Sequence, residues 1–115
     1  VGAASLALLA ALPTDESDAI VTDEAARLPR YPAHSADALA RWVRETRRKG
    51  YALNRERVVP GMSAVGVAVP GRQGRPLGAL SVAAITVRLG GARLQQVVAQ
   101  LRAEGEAIAA EMARR

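Results

Sequence analysis

The spacing of apolar positions shifts along the chain from helical to alternating and back again, and each shift marks a change of backbone geometry. Residues 3–12 are apolar nearly all round and rich in Ala, the best helix former, which suits a helix buried on most sides. Pro13 cannot extend the hydrogen-bond ladder and ends it. Thr14 then reads as the N-cap of a second, short helix. Its acids Asp15, Glu16 and Asp18 sit where the positive end of the helix dipole favours them, and Ile20 and Val21 form its inner side. The segment ARLPRYPAHS follows as a linker. Pro29 and Pro32 hold the residues before them extended, so a surface strap is expected. Ser35 caps the next helix, over residues 36–49, where Leu39, Trp42, Val43 and Thr46 recur in steps of three and four as one buried stripe. Gly50 supplies its left-handed C-terminal position, and Arg47, Arg48 and Lys49 complement the negative end of the dipole.

From Tyr51 the period becomes two. Strands are expected at 51–56, 63–69 and 76–86, the last two joined by PGRQGR as an antiparallel hairpin. Between the first two strands the Pro-Gly pair of VVPGM predicts a type II bend. After the Gly90-Gly91 break, a long amphipathic helix over 92–114 places Leu94, Val97, Val98, Leu101, Ile108 and Met112 on one stripe. Gly105 shares that stripe, so another element is expected to come close there. The pattern as a whole gives helices and three strands, with the sheet antiparallel locally at the hairpin.

One feature of the strands is unusual. Val65, Val67 and Val69 alternate with only Ala64, Gly66 and Ala68, and the hairpin partner repeats this with Ala79, Ser81 and Ala83 against Leu80 and Val82. Two neighbouring bare faces either receive a closely packed helix or leave a hollow. The Ala-rich first helix or the terminal helix near Gly105 would suit the packing. A hollow would have the Ser81 hydroxyl, the Asn54 amide with Ala52 beside it, and Met62 as an adaptable wall. From the residues alone the packing reading is the stronger, because a strand Ser usually bonds neighbouring backbone and Asn usually marks a turn or edge.

Composition narrows the function classes. At 115 residues one domain is expected, and with one Trp, two Tyr and no Phe its core must be built from Ala, Val, Leu and Ile around Trp42. Such a thin core, and Val1 opening directly inside an apolar run, lead to the expectation of a piece of a longer chain. The net charge of +5 suggests nucleic acid, but Lys49 is the one lysine and the arginines are spread and interleaved with acids. Arg41, Arg44, Arg47 and Arg48 read as a solvated helix face, so a DNA partner would be contacted by a part outside this chain. The absence of cysteine excludes disulfides, thiol catalysis and Cys-based metal sites, and fits a cytoplasmic location. VGAASLALLAALP has no basic lead and is too short to cross a bilayer, so no membrane partner is expected. His34 stands alone in the strap, and no nucleophile, acid and base are grouped, so no enzyme is expected. Asp15, Glu16, Asp18, Asp23 and Glu24 read as dipole complement and solubility rather than a metal site. Neither metal nor cofactor is expected.

The order of these features resembles one family. A capped helix running into RRKGYAL, then NRERVVPGMSAVGVAV, then GRPLGALSVAAI and a closing amphipathic helix is similar to the C-terminal effector-binding domain of IclR-type bacterial transcriptional regulators. The likeness covers nearly all of the chain, ALLAALP included. It implies a GAF-like α+β domain, an antiparallel sheet, three of whose strands lie in this chain, flanked by helices, which binds a small effector and controls a winged helix-turn-helix DNA-binding domain on its N-terminal side. It also implies that residues 1–115 are the C-terminal part of a single effector-binding domain, lacking that DNA-binding domain and the opening strands. The family's pocket positions fall on Asn54, Met62, Ala64, Ser81 and Ala83, and on backbone groups at Ala3 and Ala4. Asn54 replaces an acid, and Ala83 a serine, found in some members, which makes the hollow less polar. The resemblance therefore turns the bare face from a packing surface into a ligand site. The expected guest is a small organic acid, with an apolar or aromatic body, and the expected assembly a homodimer or tetramer through the terminal helix and the sheet edge. A purely structural assembly module, its hollow filled by side chains, is the alternative, with a small-molecule enzyme the weaker one.

Overall fold

The computed structural model describes residues 2–27, 36–56 and 60–114. Among them the elements run α1 (Ala3–Ala11), α2 (Thr14–Arg27), α3 (Ala36–Lys49), β1 (Ala52–Arg55), β2 (Met62–Val69), β3 (Gly78–Ile85), a short 3-10 helix (Thr86–Arg88) and α4 (Gly91–Ala113). The strands form one antiparallel sheet in the order β1-β2-β3. This is the α+β architecture expected from the sequence. Ala26 and Arg27 of the expected linker belong to α2, while residues 28–35, with His34 and the Ser35 cap, and Val58 and Val59 of the bend lie outside the described residues.

Each face of the sheet carries its own core. On the bulky face, Val65 and Val67 of β2 pack with Leu89 and with Leu94, Val97, Val98 and Leu101 of α4, and Leu53 and Leu80 extend the cluster. Burial of each such aliphatic side chain is worth about 1.5–3 kcal/mol, so this face anchors the fold. On the small face, α1 lies flat. Its Ala3, Leu6, Ala7 and Leu9 pack with Ala52, with Leu39 and Val43 of α3 and with Val21 of α2, and Ala64 and Ala79 border that cluster.

The fit of α1 to the sheet is closest at Gly66. A Cβ built there would stand 2.7 Å from the carbonyl oxygen of Ala3, closer than real side-chain carbons come to backbone. Only a glycine at this central position lets the first turn of α1 reach the strand. At Gly105, by contrast, an added Cβ would meet Val69 Cγ2 at 3.7 Å, an ordinary contact. Thus the helix on the small face is α1, and α4 approaches the sheet from the bulky side.

Arg47 departs from the reading of a solvated basic face. Its Nε donates to the carbonyl of Ala10 at 3.1 Å and its guanidinium to Ser17 Oγ at 3.0 Å, tying α3 to the last turn of α1 and to α2. Ser17 is fully buried, and its hydroxyl in turn donates to the Thr14 carbonyl at 3.1 Å. Arg41, Arg44 and Arg48 are exposed as expected. A second tie joins the β2–β3 turn to α2 through Arg75 and the Glu16 carboxylate.

Several details differ from expectation. Thr14 is the first residue inside α2 rather than its cap, and α2 is longer than a short helix, running to Arg27. Val21 is buried while Ile20 is exposed, because α2 turns only one narrow stripe toward α3. Trp42 is half-buried against the core rather than at its centre. Ile108 and Met112 are exposed, since α4 outruns the sheet and the last stripe residue covered is Gly105. β3 stops at Ile85 rather than 86, where the chain enters the 3-10 turn.

The two glycines separate close approach from mere helix cost. Gly66→Ala is expected to destabilise by about 1–3 kcal/mol through overpacking against Ala3. Gly105→Ala is expected to stabilise by up to about 1 kcal/mol through helix propensity. Urea unfolding followed by circular dichroism measures both. Arg47→Met, which keeps the aliphatic stem and loses both hydrogen bonds, is expected to lower stability by about 1–2 kcal/mol in the same measurement.

Candidate ligand-binding site

The antiparallel register brings the small positions into rows across the sheet. Asn54 stands opposite Ala64, which stands opposite Ala83. The next row is Ala52, Gly66 and Ser81, and on the other side Met62 pairs with Ile85. Strand alternation puts these residues on the face that α1 covers. α1 touches down at the Gly66 row and runs toward the Ala68–Ala79 row, so the rows nearer Asn54 lie beyond its start. The helix fills one end of the bare face and leaves the other open.

The open end is a cavity of about 350 Å³. Gly2, Ala3, Ala4 and Ser5 roof it, and Asn54, Met62, Ser63, Ala64, Ser81 and Ala83 form its floor and walls. All seven residues singled out from the sequence therefore line one space. The volume matches the lower range of small-molecule pockets.

Its lining is mostly apolar and carries no charged side chain. Asn54 is 5% exposed, so its amide sits deep in the hollow. Ser81 and Ala83 are exposed because β3 has no further strand beside it among the described residues. Met62 is 37% exposed and closes one side with a flexible thioether. α1 begins at Gly2 without a side-chain cap, and its first intrahelical bond runs from the Leu6 N–H to the Gly2 carbonyl at 3.0 Å. The amides of Ala3, Ala4 and Ser5 thus lie in the first turn, where helix N–H groups have no intrahelical acceptor, at the roof of the cavity.

Three lining residues escape the sequence reading. Gly2 and Ser5 belong to the same first turn as Ala3 and Ala4 and follow from them once that turn is placed. Ser63 is harder to foresee, since alternation sends its side chain to the bulky face. There it is 3% exposed and its hydroxyl pairs with that of Thr86 at 2.8 Å, so it borders the cavity from behind the sheet. The other hollows are set apart from this one. One of them, about 400 Å³, lies between the β2–β3 turn and the exposed end of α4, at Pro70, Leu77, Ala109 and Met112. Among the described residues no group of three or more His, Cys, Asp or Glu could hold a metal ion, and no helix is long and apolar enough to cross a membrane.

Comparison with known proteins gives a consistent result. The family model for the C-terminal region of the bacterial transcriptional regulator IclR matches residues 1–110. No curated protein sequence matches the chain. Among solved structures, the C-terminal domain of the Escherichia coli transcriptional regulator KdgR superposes with a TM-score of 0.82 at 29% identity, over 96% of this chain and 68% of that one. The Thermotoga maritima IclR gives 0.82 at 21% identity, over 96% and 45%. An IclR transcriptional regulator from Alicyclobacillus acidocaldarius gives 0.77 at 26% identity, over 95% and 44%. The chain thus spans a little under half the length of these two regulators. With the family model matched over all but the last five residues, and the fold shared with its solved members, the chain belongs to the IclR C-terminal family of bacterial transcriptional regulators.

Proposed function

We propose that this chain is the effector-sensing and oligomerisation part of a cytoplasmic DNA-binding transcriptional regulator. The observation that carries this reading is the open cavity where α1 stops short of the Asn54–Ala64–Ala83 row. A sheet face meant only for packing would have been covered to its end. An assembly module would have filled this space with side chains, and its lining is instead Ala and Gly with a few hydroxyl and amide groups.

The guest is a small organic acid with an apolar or aromatic body. Amide N–H groups at the start of α1 suit a carboxylate, and Asn54 and Ser81 offer further hydrogen bonds. Ala64, Ala83 and Met62 suit the apolar remainder. No cofactor or metal is needed for binding, and the role is sensing, not turnover. DNA contact belongs to a winged helix-turn-helix domain preceding this region, and residues 1–115 form the C-terminal part of one GAF-like effector domain. The outer edge of β3 supports that division. It exposes Val82 and Ile85, with Val87 of the following 3-10 turn beside them, and an open apolar edge in a working protein is normally paired or covered. Opening strands of the same domain would cover it; the exposed end of α4, and the sheet edge wherever those strands leave it open, provide homodimer or tetramer contacts. Effector binding shifts the balance between two domain or subunit arrangements by favouring one of them.

A thermal-shift screen of small carboxylic and aromatic acids against the full-length regulator tests the site. A true effector at a hundredfold excess over Kd should stabilise by about 2.7 kcal/mol, a readily measured rise in Tm. Ser81→Leu places an isobutyl group in the cavity, so the variant, its own cooperative melting without ligand serving as the folding control, should lose the shift. An effector that stabilises the variant as well as the wild type binds elsewhere.

A further inference from the structure

The cavity has one wall that can yield, Met62, and the backbone carrying it is held in an unusual way. Gly61, immediately before Met62, is gripped through both of its peptide groups. Its N–H donates to the Glu56 carboxylate, Oε1, at 2.6 Å, and its carbonyl accepts from the Thr86 N–H at 2.8 Å. Glu56 and Met62 are joined again by the Glu56 N–H donating to the Met62 carbonyl at 3.0 Å. The Ser63 hydroxyl paired with Thr86 Oγ1 fixes the grip from the β3 side.

Glu56 itself is bent into the left-handed region, with φ of 58°, a conformation that side chains beyond glycine rarely adopt. A residue in that state is held there by its surroundings. With Glu56 in that conformation, its N–H and its carboxylate both reach the 61–62 segment through the two hydrogen bonds above, while its side chain is exposed.

We propose that Glu56 and Thr86 clamp the Gly61 peptide from two sides and so position Met62, making Glu56 the residue that sets how far the cavity wall gives way to a guest. Glu56 does not line the cavity and acts through Met62; it is a positioning residue. The clamp leaves the thioether as the adjustable part, because the backbone at Met62 is pinned by Glu56 while its side chain remains over a third exposed. The link to guest size rests on the effector reading above, whereas the clamp itself does not.

Met62 and Met112 are the two methionines of the chain, and Met112 sits at the far end of α4 as an internal reference. Methyl-13C methionine NMR on the full-length regulator without any added guest therefore reads the wall directly, with Met62→Leu and Met112→Leu assigning the two signals. Three variants separate the clamp from general stability. Glu56→Gln keeps an acceptor of the same reach and should leave the Met62 methyl where it is. Glu56→Gly relieves the strained φ and removes the acceptor; Glu56→Asn tolerates that φ but falls short of Gly61. Both should displace and sharpen the Met62 methyl signal while Met112 stays put. A Met62 signal unmoved in both, or moved as far in Glu56→Gln, overturns the proposal. An unmoved methyl strikes out the clamp and leaves the effector reading intact, whereas a failed acid screen with a displaced methyl does the opposite.

Discussion

The contact between the Ala3 carbonyl and the bare backbone of Gly66 determines the layout of the small face. It lets the first turn of α1 rest directly on β2, with no side chain between the two backbones at that point, and it fixes where along the sheet the helix begins. Everything on one side of that contact becomes core, with Ala52, Leu6, Leu39 and Val43 buried under the helix. Everything on the other side, from Asn54 to Ala83, becomes the floor of a cavity. A larger residue at Gly66 would lift the helix, and the same displacement would disturb both the core and the roof of the hollow. Stability and binding geometry therefore share one point of origin.

The two faces divide the work because they are built from different residue sizes. Valine and leucine on the bulky face interlock with α4 and supply most of the aliphatic burial on the sheet. That leaves the small face able to forgo packing over part of its area without losing the fold. The cost is shown at β3. Lacking a neighbouring strand among the described residues, it exposes Ser81, Val82 and Ala83 together, so its last residues are only half supported. The cavity is accordingly open on the β3 side and deep on the β1 side, where Asn54 is nearly inaccessible.

Period and punctuation made most of the elements legible: Pro13, Gly50 and the Gly90-Gly91 pair end or begin helices within a residue or two of the expected places. The alternation of Val with Ala and Gly revealed the bare face, but not what meets it. Packing helix and ligand hollow read as rivals, and α1 covers one end of the face and leaves the other open. Nothing local says where a helix will touch down, because that depends on Gly66 meeting Ala3 across more than sixty residues of chain. Ile108 and Met112 misled for a related reason. They continue a regular stripe, yet the stripe outlasts the sheet it faces, and strand length is a property of another part of the chain. Arg47 looked solvated because its acceptors, the Ala10 carbonyl and Ser17, come from two other helices. The cavity residues were named through likeness to a family as much as through pattern, and Glu56 and Thr86 were missed because they touch a peptide group rather than the hollow.

The absence of charge in the lining shapes how such a cavity can discriminate. With no lysine or arginine among the lining residues, a carboxylate would be met by amide N–H groups whose positions are set by α1, not by a side chain free to follow it. Recognition then depends on the gap between the helix start and the strands, a distance that the Ala3–Gly66 contact holds at one end and that Met62 can adjust at the other. A guest spanning the gap touches α1 on one side and all three strands on the other. It favours whichever arrangement sets that spacing to its own length, and a guest that fits both spacings equally well shifts nothing, however tightly it binds. Under the effector reading, the information passed to a DNA-binding domain is therefore the helix-to-sheet spacing, and the most rigid contact in the face is what makes that spacing readable.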